Sequence, residues 1–209
     1  MARKPADQSV NRDEIIAAAA DVLHRNGYDA TTMKDIAAAV NLTAASLYHH
    51  FKSKDFLLIS VLEIGLNHAI EQLEPIMQSD TSSTEKLRQM ITTHIVDVTN
   101  NTAVGAAMVF EIRSLMNVKN TASKSGKEYI QRRDAFFERR DAFERLFRQV
   151  IIEGMEHGEF RQVDAPVVAR AMLGAHNWVG VWYRDGGRLS GEAIAAIMCD
   201  TFITSLTAK

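Results

Sequence analysis

The chain has 209 residues, 46% of them hydrophobic and 24% charged, the balance of a globular protein with room for a small domain beside a larger one. No run of about 18 or more apolar residues occurs, so a membrane span is not expected. The opening Met-Ala-Arg-Lys-Pro lacks the apolar core of a signal peptide, and the single cysteine, Cys199, excludes an intrachain disulfide, so a cytoplasmic setting is expected. The net charge is −2, and residues 1–55 hold seven Lys/Arg against seven Asp/Glu; bulk charge therefore argues for no nucleic acid, and any such footprint lies in where particular charges sit.

With 3 prolines and few β-branched runs, the prediction is all-α. Residues 1–10 form a polar arm whose Arg3 and Lys4 either reach a DNA groove or phosphate, or stay idle. Asn11 caps the first helix, Ile15, Ile16, Ala19, Val22 and Leu23 form its buried face, and Asn26-Gly27 stops it. Thr32 then caps a short helix with Met33, Ile36, Ala37 and Val40 on one side. Asn41 tolerates the left-handed backbone that closes a helix sharply, and Thr43 caps a second short helix with Leu47 and Phe51 inward.

Two helices of about two turns joined by a tight turn have the dimensions of a helix-turn-helix, whose second helix enters the DNA major groove. The same spacing also suits a plain amphipathic hairpin. On the DNA reading, Thr43, Ala44, Ser46, Tyr48, His49 and His50 make up the outward face, and Lys34, Lys52 and Lys54 are candidate phosphate contacts.

A long helix from Ser53 to about Met77 is apolar on more than one side, which predicts a mechanical link between the small unit and a larger core. Thr84 or Ser83 caps the next helix, to about Asn100; another runs from Ala103 to Leu115, and Asn117–Lys127 reads as a loop. Arg132-Arg133-Asp134-Ala135-Phe136 recurs seven residues later as Arg139-Arg140-Asp141-Ala142-Phe143. Seven residues is two helical turns, so Phe136, Phe143, Phe147 and Val150 share one stripe. The arginines suggest a second nucleic-acid surface or, with acids at i, i+3 and i+4, a self-paired solvated face; the second reading fits better. Gly154 is a tolerated weak point, and Gly158 ends the helix. Asp164 and Ser190 cap the last two helices, whose apolar sides need a partner surface. Self-association into a four-helix bundle through Met172, Ala175, Val179, Ile194, Ile197, Met198 and Phe202 satisfies them.

Enzymatic signals are weak. Ser125-Gly126-Lys127 lacks the upstream glycine of a phosphate loop, His49 and His50 point about 100° apart on a helix, and Glu153 with His157 make a lone i, i+4 pair at a helix end. No catalytic residue, metal or cofactor is expected. A cavity for a small apolar effector is better motivated: Met90, Met108, Phe110, Phe137, Trp178 and Trp182 are large adaptable side chains, with His94, His176 and Asn177 as polar points among them. Taken singly, each of these residues also suits ordinary core packing.

The wording Ala-Ser-Leu-Tyr-His-His-Phe-Lys-Ser-Lys-Asp, with Thr-Thr-Met-Lys-Asp-Ile-Ala-Ala upstream, closely resembles the DNA-binding domain of the TetR/AcrR family of bacterial transcriptional regulators, over roughly residues 10–60. The resemblance implies a helix-turn-helix domain over 1–52 and a larger helical effector-binding and dimerisation domain over 53–209. It implies a homodimeric repressor on a palindromic double-stranded DNA operator, released by a small molecule. It also assigns Thr32, Tyr48 and Lys54 to phosphates and Thr43, Ala44, Ser46 and His49 to positions at or near base edges. Many members read Gly-Val-Ser-Lys-Gly where this chain reads Asn41-Leu42-Thr43-Ala44-Ala45; without that lysine, more of the affinity falls to phosphates and DNA shape. The wording Asn-Trp-Val-Gly-Val-Trp-Tyr-Arg-Asp-Gly-Gly-Arg-Leu-Ser over 177–190 is similar to members that respond to acyl-CoA thioesters. A drug, steroid or flavonoid effector remains the alternative, and a helical protein-interaction module without DNA is the rival from another class.

Overall fold

Capping chemistry sets most of the helix boundaries. In the computed structural model, which describes residues 10–116 and 123–207, α1 (Arg12–Asn26) starts at Asn11, whose side chain accepts the Asp13 N–H. Thr32 and Asp35 cap α2 (Met33–Ala39) reciprocally: each side chain accepts the other's backbone N–H. Its end is a Schellman turn with Asn41 at φ 56, where the Leu42 N–H reaches Ala37 O at 2.8 Å and the Asn41 N–H reaches Ala38 O at 3.2 Å. Thr43 then caps α3 (Ala44–His50), and Ser53 caps α4 (Lys54–Met77).

The larger body contains α5 (Ser83–Asn100), α6 (Thr102–Phe110), a 3-10 turn (Ile112–Met116), α7 (Lys124–Glu156), α8 (Ala165–Trp182) and α9 (Gly191–Leu206). Several boundaries depart from expectation. Ser82, rather than Ser83 or Thr84, caps α5, because the carboxylate of Glu159 takes the Ser83 and Thr84 N–H groups at 2.9 Å. Burial alone would raise the Glu159 pKa, but these hydrogen bonds hold it below the usual range. The helix after Asn101 stops at Phe110 instead of running to Leu115, and Lys124–Lys127 belong to α7 rather than to a loop. Of that predicted loop, residues 117–122 lie outside the described residues.

α4 occupies the middle, packed by α1 on one side and by α5 and α7 on others. By length and composition it is apolar enough to cross a membrane, which differs from the sequence expectation; 56% of that apolar window is buried inside the protein. Phe136, Phe143, Phe147 and Val150 do form one buried stripe of α7. Its arginines pair both within the helix and between helices: Arg133 with Asp134 on α7 itself, and Arg132 with Glu63 and the Ser60 hydroxyl of α4, while Glu144 of α7 takes Arg170 of α8. Gly154 is a packing requirement, since a Cβ there would sit 2.1 Å from the Phe160 ring. Gly105 and Gly180 let α6 and α8 cross closely, a Cβ on Gly180 falling 3.2 Å from the Gly105 backbone carbon.

Candidate DNA-reading face and ligand cavity

α3 buries Leu47 completely and hands Phe51 to the core at its end. At 100° per residue the point opposite Leu47 falls between Ala45 and His49, so these two lead outward, with Tyr48, 53% exposed, and half-buried Ser46 as flanks. Ala45 is not among the expected contacts, although counting from Leu47 alone finds it. Ala44 is half-buried, whereas Thr43 and His50 are exposed. The Thr43 hydroxyl accepts the Ser46 N–H at 3.1 Å, and Arg12 ties the far end by donating to His50 O at 3.2 Å with its guanidinium over the Phe51 ring. Arg12 is likewise absent from the expected set, and its role depends on a fold contact 38 positions away.

The three lysines differ. Lys34 is exposed on the first turn of α2. Lys52 is exposed but paired with Glu128 of α7. Lys54 is not a free phosphate contact: its Nζ donates to Tyr28 O and, at 2.7 Å, to Thr31 O, and lies 4.0 Å from the centre of the Tyr28 ring. It fastens α4 to the α1–α2 turn. The Thr32 hydroxyl is likewise committed, donating to Asp35 Oδ2 at 2.7 Å. Arg3 and Lys4 lie outside the described residues.

Behind this unit α4, α5, α6, α7 and α8 line a partly open cavity of about 610 Å³, within the range of small-molecule sites. Leu66, Val98, Val104, Met108, Phe143 and Leu173 supply apolar wall. His94, Asp97, Asn101 and Asn177 supply polar points, and Arg140, Asp141, Glu144 and Arg170 add charges. Asp97 takes the Asn101 side-chain amide at 2.9 Å and stands 3.3 Å from His68 Nε2; burial nevertheless raises its pKa.

Of the nine effector candidates, His94, Met108 and Asn177 line this cavity. His176 lies just beyond it, fully buried against His94, and Met90 is solid core. Phe137 packs on Phe136 away from the lining. Phe110, Trp178 and Trp182 point outward, 53%, 50% and 47% exposed, with Phe110 edge-on to Trp178. The converse holds for the expected dimer surface. Met172, Val179 and Ile194 are buried within the subunit and cannot meet another chain, while Ala175, Met198 and Phe202 are half-buried and Ile197 is exposed. The outward stripe of α8 is Val167, Ala171, Gly174, Trp178 and Trp182, at i, i+4, i+7, i+11 and i+15. A helix apolar on nearly all sides hides from the sequence which side faces out.

Residues 15–61 match the family of bacterial regulatory proteins of the tetR type, and residues 80–206 match the tetracyclin repressor-like C-terminal domain. The chain is 29% identical over 192 residues to the HTH-type transcriptional repressor KstR2 of Mycolicibacterium smegmatis, covering 91% of this chain and 87% of that one. It is similar in structure to the TetR family regulator PfmR from Thermus thermophilus, with TM-score 0.79 and 28% identity over 94% of this chain and 100% of the other. It also resembles AibR, solved in complex with isovaleryl coenzyme A and operator DNA, with TM-score 0.75 and 26% identity over 91% and 96% of the two chains. With both the reading unit and the helical body matched, the chain belongs to the TetR family of bacterial transcriptional regulators.

Proposed function

We propose that this protein is a ligand-controlled repressor that binds a palindromic operator as a homodimer in the cytoplasm and leaves it when a small, largely apolar effector fills the cavity. The observation that carries the reading is that two cavity walls reach the reading unit directly. α4 begins at the end of α3 and contributes Leu66 and Ala69 to the wall, and α6 contributes Met108 and is followed directly by Glu111, which accepts the Tyr28 N–H. Occupying the cavity shifts both supports, and DNA and effector oppose each other through that linkage.

The effector class we favour is an acyl-CoA thioester. The deep wall is apolar enough for an acyl chain, and the charged residues include Arg140, suited to phosphates, beside Arg170, which Glu144 holds. AibR, a relative of similar fold, was solved with isovaleryl coenzyme A and operator DNA together. Dimerisation is proposed through the outward stripe of α8 with Ile197 of α9. Domains are proposed at 1–52 and 53–209, with Lys34, Thr43, Ala45, Ser46, Tyr48, His49, His50 and Lys52 nearest the DNA.

The test is anisotropy of labelled DNA from upstream of the gene, titrated with protein at several salt concentrations and then with acyl-CoAs. Saturable binding at two subunits per site, reversed by an acyl-CoA, is the expected result. Failure to bind any duplex specifically would overturn the regulator reading; binding that no acyl-CoA reverses would overturn the effector class alone.

A further inference from the structure

α5 and α8 bring His94 and His176 together with their Nδ1 atoms 3.3 Å apart. His176 is fully buried, and His94 is 6% exposed. Phe143 stands edge-on to His94 at 5.2 Å and Phe202 edge-on to His176 at 5.7 Å. Only His94 belongs to the cavity wall. With its Nδ1 committed to His176, the nitrogen that His94 can offer to a bound molecule is Nε2.

Burial depresses both imidazoles, His94 to about 4 and His176, further burdened by His94, well below the ordinary value. Each ring is therefore neutral near pH 7 and carries one proton, and the contact between the two Nδ1 atoms needs one donor and one acceptor. Two arrangements satisfy it. If His94 Nδ1–H donates, His176 must carry its own proton on Nε2, and that buried atom has no hydrogen-bond partner among the described residues. If His176 Nδ1–H donates, its Nε2 is a bare lone pair, and His94 carries its proton on Nε2. A buried N–H without an acceptor is rarer than an unused acceptor, and a ring face returns only a second-order amount to a stranded N–H.

We propose that His176 fixes His94 as the Nε2–H tautomer, so that the cavity presents a neutral hydrogen-bond donor and selects effectors with an acceptor oxygen, such as the carbonyl of a thioester or ketone, at that depth. Asn177 does not make this choice, because an amide offers both donor and acceptor. The inference rests on the cavity being the effector site. It narrows the class: molecules whose buried polar group is an ammonium or another donor are disfavoured.

The tautomers are read directly from long-range ¹H–¹⁵N spectra of histidine-labelled full-length protein near neutral pH, assigned with His94→Phe and His176→Phe, or with His94→Gln if the Phe variant does not fold. The expected pattern is Nε2–H at His94 and Nδ1–H at His176; the reverse pattern overturns the proposal whether or not the protein binds DNA. Octanoyl-CoA is then compared with octyl-CoA, the thioether that lacks only the carbonyl. The thioester is expected to bind about tenfold more tightly, as one added hydrogen bond allows, and the ratio to fall towards one in His94→Phe. Equal affinity for both probes in the unsubstituted protein overturns the proposal. Binding of neither, with the expected tautomers present, refutes the acyl-CoA class while the donor assignment stands.

Discussion

Glu111, one residue past the end of α6, accepts the backbone N–H of Tyr28 at 3.0 Å. Lys54 and Asp55 of α4 hold the same residue from the other side, through its carbonyl and its hydroxyl. The turn between α1 and α2 is thus gripped by both helices that run from the cavity towards the reading unit. The carboxylate that makes the α6 grip has its pKa raised by burial, while the Tyr28 N–H pulls the other way. The α6 contact is the one that can be removed without disturbing the capped start of α4.

Glu111→Ala is expected to cost about 1 kcal/mol of stability, an ordinary net hydrogen bond. Native-state hydrogen exchange should show the Tyr28 amide losing protection while amides in the middle of α3 keep theirs. Unchanged protection at Tyr28 would mean that the turn is held by α4 alone.

Lys54 and Lys34 should separate stability from DNA affinity. Lys54→Ala leaves the Tyr28 and Thr31 carbonyls short of a charged donor, and is expected to destabilise by about 1–3 kcal/mol with little effect on the salt dependence of DNA binding. Lys34→Ala should leave the melting temperature nearly unchanged and lower the log–log salt slope by about 1 per bound subunit. The opposite pairing of effects would return Lys54 to the phosphates.

That reversal also marks what the sequence made legible. Caps, left-handed turns and periodic apolar residues are local, so Thr32, Asn41, Thr43 and the Leu47–Phe51 face could be placed from their neighbours alone. Lys54 looked like a phosphate contact because the residues that occupy it are 23 and 26 positions away. Trp178 and Met172 exchanged expected roles for a related reason. α8 carries apolar residues on nearly every side, and periodicity cannot say which side meets α5 and α7 and which meets solvent. The pairing of His94 with His176, 82 positions apart, left no trace in spacing.

His49 stands at the centre of the outward face of α3. His49→Ala is expected to relax base preference at one operator position by about 1–3 kcal/mol and to leave the salt slope unaltered. Competition among single-base operator variants measures this; uniform weakening across all variants would make His49 a backbone contact.

Acid should destabilise the fold through the buried histidines. The His94 pKa falls from 6.5 to about 4 on folding, so between those values the unfolded chain binds a proton that the folded chain refuses. Stability is full above about pH 6.5 and is lost as pH falls through the window, on the order of 3 kcal/mol for this residue. His176 acts in the same direction, whereas Asp97, whose pKa burial raises, opposes it. Denaturant midpoints measured from pH 7 down to 4 should fall less steeply for His94→Phe than for the unsubstituted protein. Equal slopes would show that the ring is charged in the folded state.

The exchanged roles on α8 give the sharpest contrast between two substitutions on one helix. Trp178 lies half exposed beside Phe110 in an apolar stripe, whereas Met172 has no exposed surface. A buried aromatic at the centre of an interface commonly carries about 2 kcal/mol or more of binding, and an introduced charge adds a desolvation cost on each side of a two-fold axis, where the same residue recurs. Trp178→Glu should therefore give a folded monomer in sedimentation, with helical content retained. DNA affinity should drop steeply, because one reading helix alone must supply it. Met172→Glu buries an unpaired charge in the subunit core and should lose helical content itself. A dimer that survives Trp178→Glu would place the interface on another face.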